Sequence, residues 1–161
     1  MDKVNLIYGE GDVLQTHLNI NPFAKNGEES NVIRDDIENL DKHVDSSELK
    51  ELVAYDVIDY VSLEKHEDVI ENWVSKIRFG GKIIIGGVDF FEVCKAFSQY
   101  KIGSLEANIL LHGTQEKPYL IKRLSHTAIG LSDYLSQKFN FTITKKRISG
   151  YQMVVEAERR R

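Results

Sequence analysis

The chain has 161 residues, 42% of them hydrophobic and 29% charged, which allows one domain with a buried core and lies outside the disordered and fibrous classes. Its single cysteine, Cys94, excludes an internal disulfide, and no apolar run approaches the roughly 18 residues needed to cross a bilayer. The net charge of −4 hides a division: residues 1–72 hold 18 acidic and 6 basic side chains, residues 73–161 hold 7 and 15. Two solvated faces of one domain account for this split; a basic surface offered to an anionic substrate or partner is the alternative.

Met1-Asp2-Lys3 leads directly into a strand and not into a signal peptide, so a cytoplasmic protein is expected. Val4 to Tyr8 reads as the first strand, ended by the turn Gly9-Glu10-Gly11-Asp12. The next strand-like run, His17 to Ile20, begins too soon for a helix of ten residues to fit between them. A first helix is therefore missing or reduced to one turn. Pro22 to Ser30 is a loop by composition, Asn31 to Arg34 a short third strand, and Asp35-Asp36-Ile37 follows it. Asp45-Ser46-Ser47-Glu48 has the character of a helix cap and predicts a helical turn through Lys50. Glu51 to Val61 reads as a fourth strand and the turn after it.

Val69, Ile70, Trp73, Val74 and Ile77 then recur at helical spacing, with Glu64, Glu67 and Asp68 early and Lys76 and Arg78 late, as a helix dipole prefers. Gly80-Gly81 supplies a helix stop, and Lys82-Ile83-Ile84-Ile85 reads as a strand buried on both faces. Such strands belong to parallel sheets with helices on both sides, where ligands sit beyond the carboxyl ends, so Gly86 to Asp89 is expected near the site. Phe90 to Phe97 continues as a helix with Phe90, Val93, Cys94 and Phe97 on its inner face, which makes Cys94 a buried structural thiol. For Ser104 to Leu111 periodicity does not decide between helix and extended chain. Ala128 to Phe139 is an amphipathic helix ended by Asn140. Phe141 to Thr144 and Tyr151 to Ala157 are alternating strands around a Ser149-Gly150 turn, and Arg159 to Arg161 is a frayed tail. The five histidines are scattered, there is no C-x-x-C, and no P-loop, nucleophile elbow, repeat or nucleic-acid signature occurs.

Asn72-Trp73 followed by Arg78-Phe79-Gly80-Gly81-Lys82-Ile83 resembles the fourth-helix-to-fifth-strand passage of class I S-adenosylmethionine-dependent methyltransferases, usually E-W-x-R-V-L-K-P-G-G-x-L. Asn72 replaces the Glu, and Arg78-Phe79 stands where Lys-Pro is usual. Leu6 to Gly11 and Asn19-Ile20-Asn21 are similar to the L-N-L-G-x-G and N-V-D pieces of a compact predicted-methyltransferase subgroup. Glu51 to Tyr60 resembles its D-E-I-x-A-x-H-V-L-E-H, with Asp56, Asp59 and Tyr60 in place of His, Glu and His. Leu111 to Gln115 and Ser125-His126-Thr127 resemble the later G-x-Q and H-x-x-x-F/L pieces, which in the family sit over the cofactor pocket. The resemblance runs from Val4 to Ala157. It implies an α/β, Rossmann-like methyltransferase sandwich: a mostly parallel seven-stranded sheet with a C-terminal antiparallel hairpin and a reduced or missing first helix, in one domain spanning 1–161.

It also implies S-adenosylmethionine as cofactor and S-adenosylhomocysteine as product, held by Tyr8, Gly9, Glu10, Gly11, Asn21, Asp36, Tyr55 and Asp56. Asp36 is the expected partner of the adenine amino group. Asn21 stands where the family has the acid that binds both ribose hydroxyls, and its single uncharged carbonyl is a weaker acceptor. Loss of both histidines removes the groups best suited to act as a base near neutral pH. Asp56 or Asp59 takes that role only if desolvation raises its pKa, and His126 is the third catalytic candidate. The bland alternatives are a turn-capping Asp59, a solvated Asp36 and a capping or core His126. Two functions stay open: a methyltransferase acting on a small-molecule or sugar-like acceptor, and a non-catalytic methyltransferase-fold module for binding or oligomerisation with weak or lost cofactor binding. A cofactor-degrading enzyme is a third class that no residue favours. The compact chain argues against a nucleic-acid acceptor and a membrane partner, and it leaves the oligomeric state open, a homodimer included.

Overall fold

The computed structural model describes residues 1–25 and 30–161, so residues 26–29 of the Pro22 to Ser30 loop lie outside the described residues. Its strands are β1 (Lys3–Leu6), β2 (Leu18–Ile20), β3 (Val32–Ile33), β4 (Leu49–Tyr55), β5 (Ile77–Val88), β6 (Phe141–Ser149) and β7 (Gln152–Arg159). Its helices are α1 (His66–Lys76), α2 (Phe90–Ser98), α3 (Ser104–His112) and α4 (Ala128–Phe139). The strands form one sheet in the order β3-β2-β1-β4-β5-β7-β6. β1 to β5 run parallel, and the β6–β7 hairpin closes the sheet antiparallel against β5. The mostly parallel seven-stranded sheet and its closing antiparallel hairpin are those the resemblance implied.

Alternation along the strands sets the layers. Val4, Leu6, Leu52, Ala54, Ile83, Ile85, Val155 and Ala157 face α1 and α4 and are buried with Trp73, whose indole N–H donates to the Ile37 carbonyl at 2.8 Å. The opposite face carries a row of charges across four strands. Lys82 lies between Glu51 (3.2 Å) and Glu156 (3.6 Å), and Glu51 also meets Lys3 (3.8 Å) and His17 (2.9 Å). Ile84 is buried as expected and pairs with buried Val53 on one side, but on the other it pairs with Glu156 of this charged row.

No helix forms between β1 and β2, and two buried amides explain how the chain manages without one. Asn5 Nδ2 donates to Asn19 Oδ1 (2.8 Å) and to the Asp12 carbonyl (2.9 Å), while Asn19 exchanges hydrogen bonds with the Leu14 backbone and donates to the His17 carbonyl. The linking loop is thus held on the sheet by side chains that satisfy its backbone polar groups.

Three local expectations are corrected. Helix α1 ends at Lys76, and Ile77 already pairs with Leu49 in the sheet. Gly80-Gly81 is therefore no helix stop but an outward bulge within β5, between the Leu49–Ile77 and Glu51–Lys82 pairs; Gly80 is left-handed, and a Cβ on Gly81 would stand 2.6 Å from the Leu49 carbonyl. The capping residues at Asp45 to Glu48 start no helix: Glu48 accepts the Asp45 N–H, and β4 follows directly. On α2, Val93 and Ala96 turn inward, whereas Phe90, Phe97 and Cys94 are exposed, so Cys94 is not a buried thiol.

Candidate functional site

The C-terminal ends of β1, β4 and β5 open into a hollow of about 420 Å³ lined by Ile7, Glu10, Gly11, Tyr55, Asp56 and the Gly86-Gly87 pair, among others. Beside it, a smaller hollow of about 250 Å³ is bounded by Tyr8, Glu10, Asp56, Tyr60, Tyr119 and Lys122. Asp56 belongs to both and sits on a left-handed residue (φ 53°) that turns the chain at the end of β4. With its amide oriented to donate, Gln152 bridges Asp56 (3.2 Å) and the Gly87 carbonyl (3.0 Å). Sequence reasoning thus brought Tyr8, Glu10, Gly11, Tyr55 and Asp56 to one end of the sheet, where parallel strands place ligands.

Gly9 and Asn21 are joined directly. Asn21 Oδ1 accepts the N–H groups of Gly9 (3.0 Å) and Phe23 (3.0 Å), and Asn21 Nδ2 donates to the Gly9 carbonyl (3.1 Å). Both lone pairs of that oxygen are engaged, which leaves none for a ribose hydroxyl in this conformation. The open side of Gly9 is also filled. A Cβ there would stand 2.3 Å from Cγ of Tyr119 and 2.5 Å from its Cβ, so the Tyr119 side chain packs directly on bare backbone. Tyr119 packs on Phe23, Phe23 on Tyr8, and Tyr8 stacks on Tyr60 with centroids 4.7 Å apart. Asp36 is exposed, accepts the Glu38 N–H, and lies close enough for its charge to raise the Tyr8 phenol, whose main cause of elevation is burial.

The resemblance set Gly113 to Gln115 over the cofactor pocket; they begin a strap, residues 113–124, whose remainder sequence reasoning did not connect with the site, Tyr119 included. Gly113 (φ 74°) starts it, and a Cβ there would fall 2.0 Å from the Leu120 carbonyl. Gln115 N–H donates to the Leu120 carbonyl, Lys122 N–H to that of His112, and Arg123 and Leu124 N–H both to that of Asp59. Pro118 opens the turn that presents Tyr119. The one available signal was the Pro-Tyr pair in a polar stretch.

Asp59 is fully buried behind this strap. Its Oδ2 accepts the Val88 N–H (3.1 Å) and faces the Lys122 ammonium at 3.6 Å, while its Oδ1 has no partner and packs on Gly87. Burial pushes the Asp59 carboxyl up to about 6, with Asp56 adding to the rise and Val88 N–H and Lys122 opposing it. His126 is not part of this arrangement. It lines a separate hollow of about 340 Å³ with His66 and Tyr134, its Nε2 has no partner, and burial lowers it to about 4. Among the described residues, no cluster of His, Cys, Asp or Glu could hold a metal ion.

No family model matches the chain, and no curated protein does either. Solved structures do. A putative methyltransferase from Thermobifida fusca superposes with a TM-score of 0.62 at 10% identity, over 100% of this chain and 74% of its own. The Burkholderia thailandensis 1,6-didemethyltoxoflavin-N1-methyltransferase, crystallised with 1,6-didemethyltoxoflavin and S-adenosylhomocysteine, gives 0.59 at 11% identity over 98% and 71%. An O-methyltransferase family protein from the same organism gives 0.55 at 12% identity over 80% of this chain. This is the class I methyltransferase fold. The chain spans 35% of that last protein's length, and identities this low carry the fold and not the activity.

Gly9 carries no Cβ, and the Tyr119 side chain packs directly against it. Bare backbone of this kind fits the close approach of the cofactor's amino-acid part once Tyr119 is elsewhere; the Asn21 amide, closed on Gly9, does not fit the ribose role.

Proposed function

We propose that the chain is an S-adenosylmethionine-dependent methyltransferase acting on a small-molecule or sugar-like acceptor, with S-adenosylhomocysteine as product. The observation that carries this reading is the Cβ-free backbone of Gly9 at the carboxyl end of β1, with the Tyr119 side chain packed directly against it. The cofactor supplies an activated methyl group. Gly9, Glu10 and Gly11 form the bed for its amino-acid part, Asp36 accepts from the adenine, and Tyr8, Tyr55 and Asp56 wall the cleft. Asn21 holds the Gly9 turn in shape. The acceptor lies in the smaller hollow, where Asp56 and Lys122 meet it. Asp59 is a positioning residue, since its carboxylate reaches the hollow only through Lys122. Alignment of the acceptor with the methyl group accounts for most of the rate in such a transfer, and a dedicated base is not required.

The second reading is a methyltransferase-fold module without catalysis. It draws support from one arrangement, the Asn21–Gly9 closure beneath the Tyr119 ring. Calorimetric titration with S-adenosylmethionine and S-adenosylhomocysteine, on the natural chain and on Tyr119→Ala, separates the two. The first reading expects micromolar binding, tightened at least tenfold when the ring is removed. Silence from both proteins up to millimolar ligand overturns it and leaves the second.

A further inference from the structure

The helical pair α2–α3 contributes little to the main core. Its inner residues, Val93, Ala96 and Ile102, form a separate small cluster with Val88, and α3 has no buried residue although five of its nine are apolar. What the pair shows outward is aromatic and aliphatic. Phe90, Phe91 (58% exposed), Phe97, Tyr100 (96%), Leu105 (76%) and Ile109 all stand in solvent. At roughly 200 Å² for a fully exposed large side chain, these six present on the order of 700 Å². That exceeds the largest patch of an ordinary monomer and comes close to the ~800 Å² that each partner contributes to a standard protein interface.

The patch is also shaped for its own kind. Two hollows lie within it, one of about 430 Å³ along Leu105, Ile109 and His112, the other of about 420 Å³ between Leu63, Phe90, Leu111 and Leu124. His112 lines both, so the hollows adjoin. Protruding rings and receiving hollows on one surface meet the requirement of a two-fold contact, in which the same patch serves both subunits. Charge agrees. Residues 90–112 carry Glu92 and Glu106 against Lys95 and Lys101, a neutral patch on a chain of net −4, so two copies meet there without repulsion. An anionic membrane would call for a basic rim, which a neutral patch lacks.

We propose that the chain forms a two-fold homodimer through the outer surface of α2 and α3, with Phe97 and Leu105 near its centre. This rests on the surface alone and stands whether or not the cleft binds a cofactor. Cys94 lies between Phe90 and Phe97 on the same exposed stripe of α2 and becomes covered on pairing.

Sedimentation velocity on the natural chain, from micromolar to millimolar concentration, should show a species of twice the chain mass. Phe97→Glu with Leu105→Glu should remain a monomer throughout and keep the melting temperature that the natural chain has when diluted to monomer, since both side chains are exposed. Maleimide labelling of Cys94 gives an independent readout: in the natural chain it should slow at least tenfold as concentration rises, and in the double variant it should not. A natural chain that stays monomeric at every concentration overturns the proposal, as does a dimer that survives both substitutions with Cys94 still freely labelled. Attachment to lipid vesicles without self-association would overturn it in favour of a membrane.

Discussion

Single polar side chains in apolar surroundings hold the modified parts of this molecule together. Asn19 is fully buried and satisfies the backbone of the linking loop with its own amide, so Asn19→Leu should leave unpaired the Leu14 N–H and the one Asn5 amide N–H that does not reach the Asp12 carbonyl. We expect a loss of about 2–4 kcal/mol, from two or more buried groups left without partners, read as a lower urea midpoint. A loss below about 1 kcal/mol would mean that water reaches the loop and that the amides are not its anchor. Asn21 calls for a subtler change. In Asn21→Asp the carboxylate still accepts from Gly9 and Phe23, but its second oxygen faces the Gly9 carbonyl that Nδ2 now approaches at 3.1 Å. That repulsion should destabilise the turn by about 1 kcal/mol. If S-adenosylhomocysteine affinity rises instead, the aspartate has turned to the ribose and the Gly9 contact is dispensable.

Among the elements, the strap of residues 113–124 decides whether the cleft is open. Gly113 is its hinge, because a Cβ would collide with the Leu120 carbonyl and the residue is held at φ 74°. Gly113→Ala should therefore loosen the strap and speed tryptic cleavage after Lys122 and Arg123 several-fold, while α1 and the sheet keep their melting temperature. Unchanged cleavage would show that the anchors to His112 and Asp59 suffice without that turn. The resemblance set the start of the strap, Gly113 to Gln115, over the pocket, but the course of residues 116–124 was not legible in the sequence because neither composition nor periodicity says where a polar loop folds back. Only packing brings Tyr119 onto Gly9, across more than a hundred residues. The regular elements were legible, since β-branched runs and the Val69–Trp73 spacing are local signals that agree with the fold. Gly80-Gly81 misled because a helix stop and a strand bulge both need a left-handed residue. Cys94 misled because an apolar helix stripe signals burial, whether by the same chain or by another, and the stripe on α2 is left uncovered in the monomer.

Across the whole molecule, two buried titratable groups with opposite responses shape stability against pH. Asp59 rises from 3.8 to about 6, so between these values the folded chain holds a proton that the unfolded chain has released. Stability therefore falls as pH rises through this window, and above about pH 6 the full cost of a buried carboxylate, on the order of 3 kcal/mol, is present. His126 falls from 6.5 to about 4, so the unfolded chain takes up a proton that the folded chain refuses. Its neutral burial gives stability that is complete above about pH 6.5 and lost as pH falls toward 4, again on the order of 3 kcal/mol. The windows overlap and the slopes cancel, so the natural chain should show little net pH dependence from this pair between about pH 4 and 6. Each substitution exposes the other slope. Asp59→Asn keeps an acceptor for the Val88 N–H and removes the buried charge, and Lys122 retains enough exposure to find water. This variant should be more stable than the natural chain at pH 7.5, lose that gain by pH 4, and decline steeply on acidification. His126→Gln should instead gain stability as pH falls from about 6 to 4. Urea midpoints of the three proteins at these pH values give the answer. An Asp59→Asn variant less stable at pH 7.5 would mean that the Lys122 pair outweighs desolvation, and that the carboxylate is held charged at the edge of the cleft.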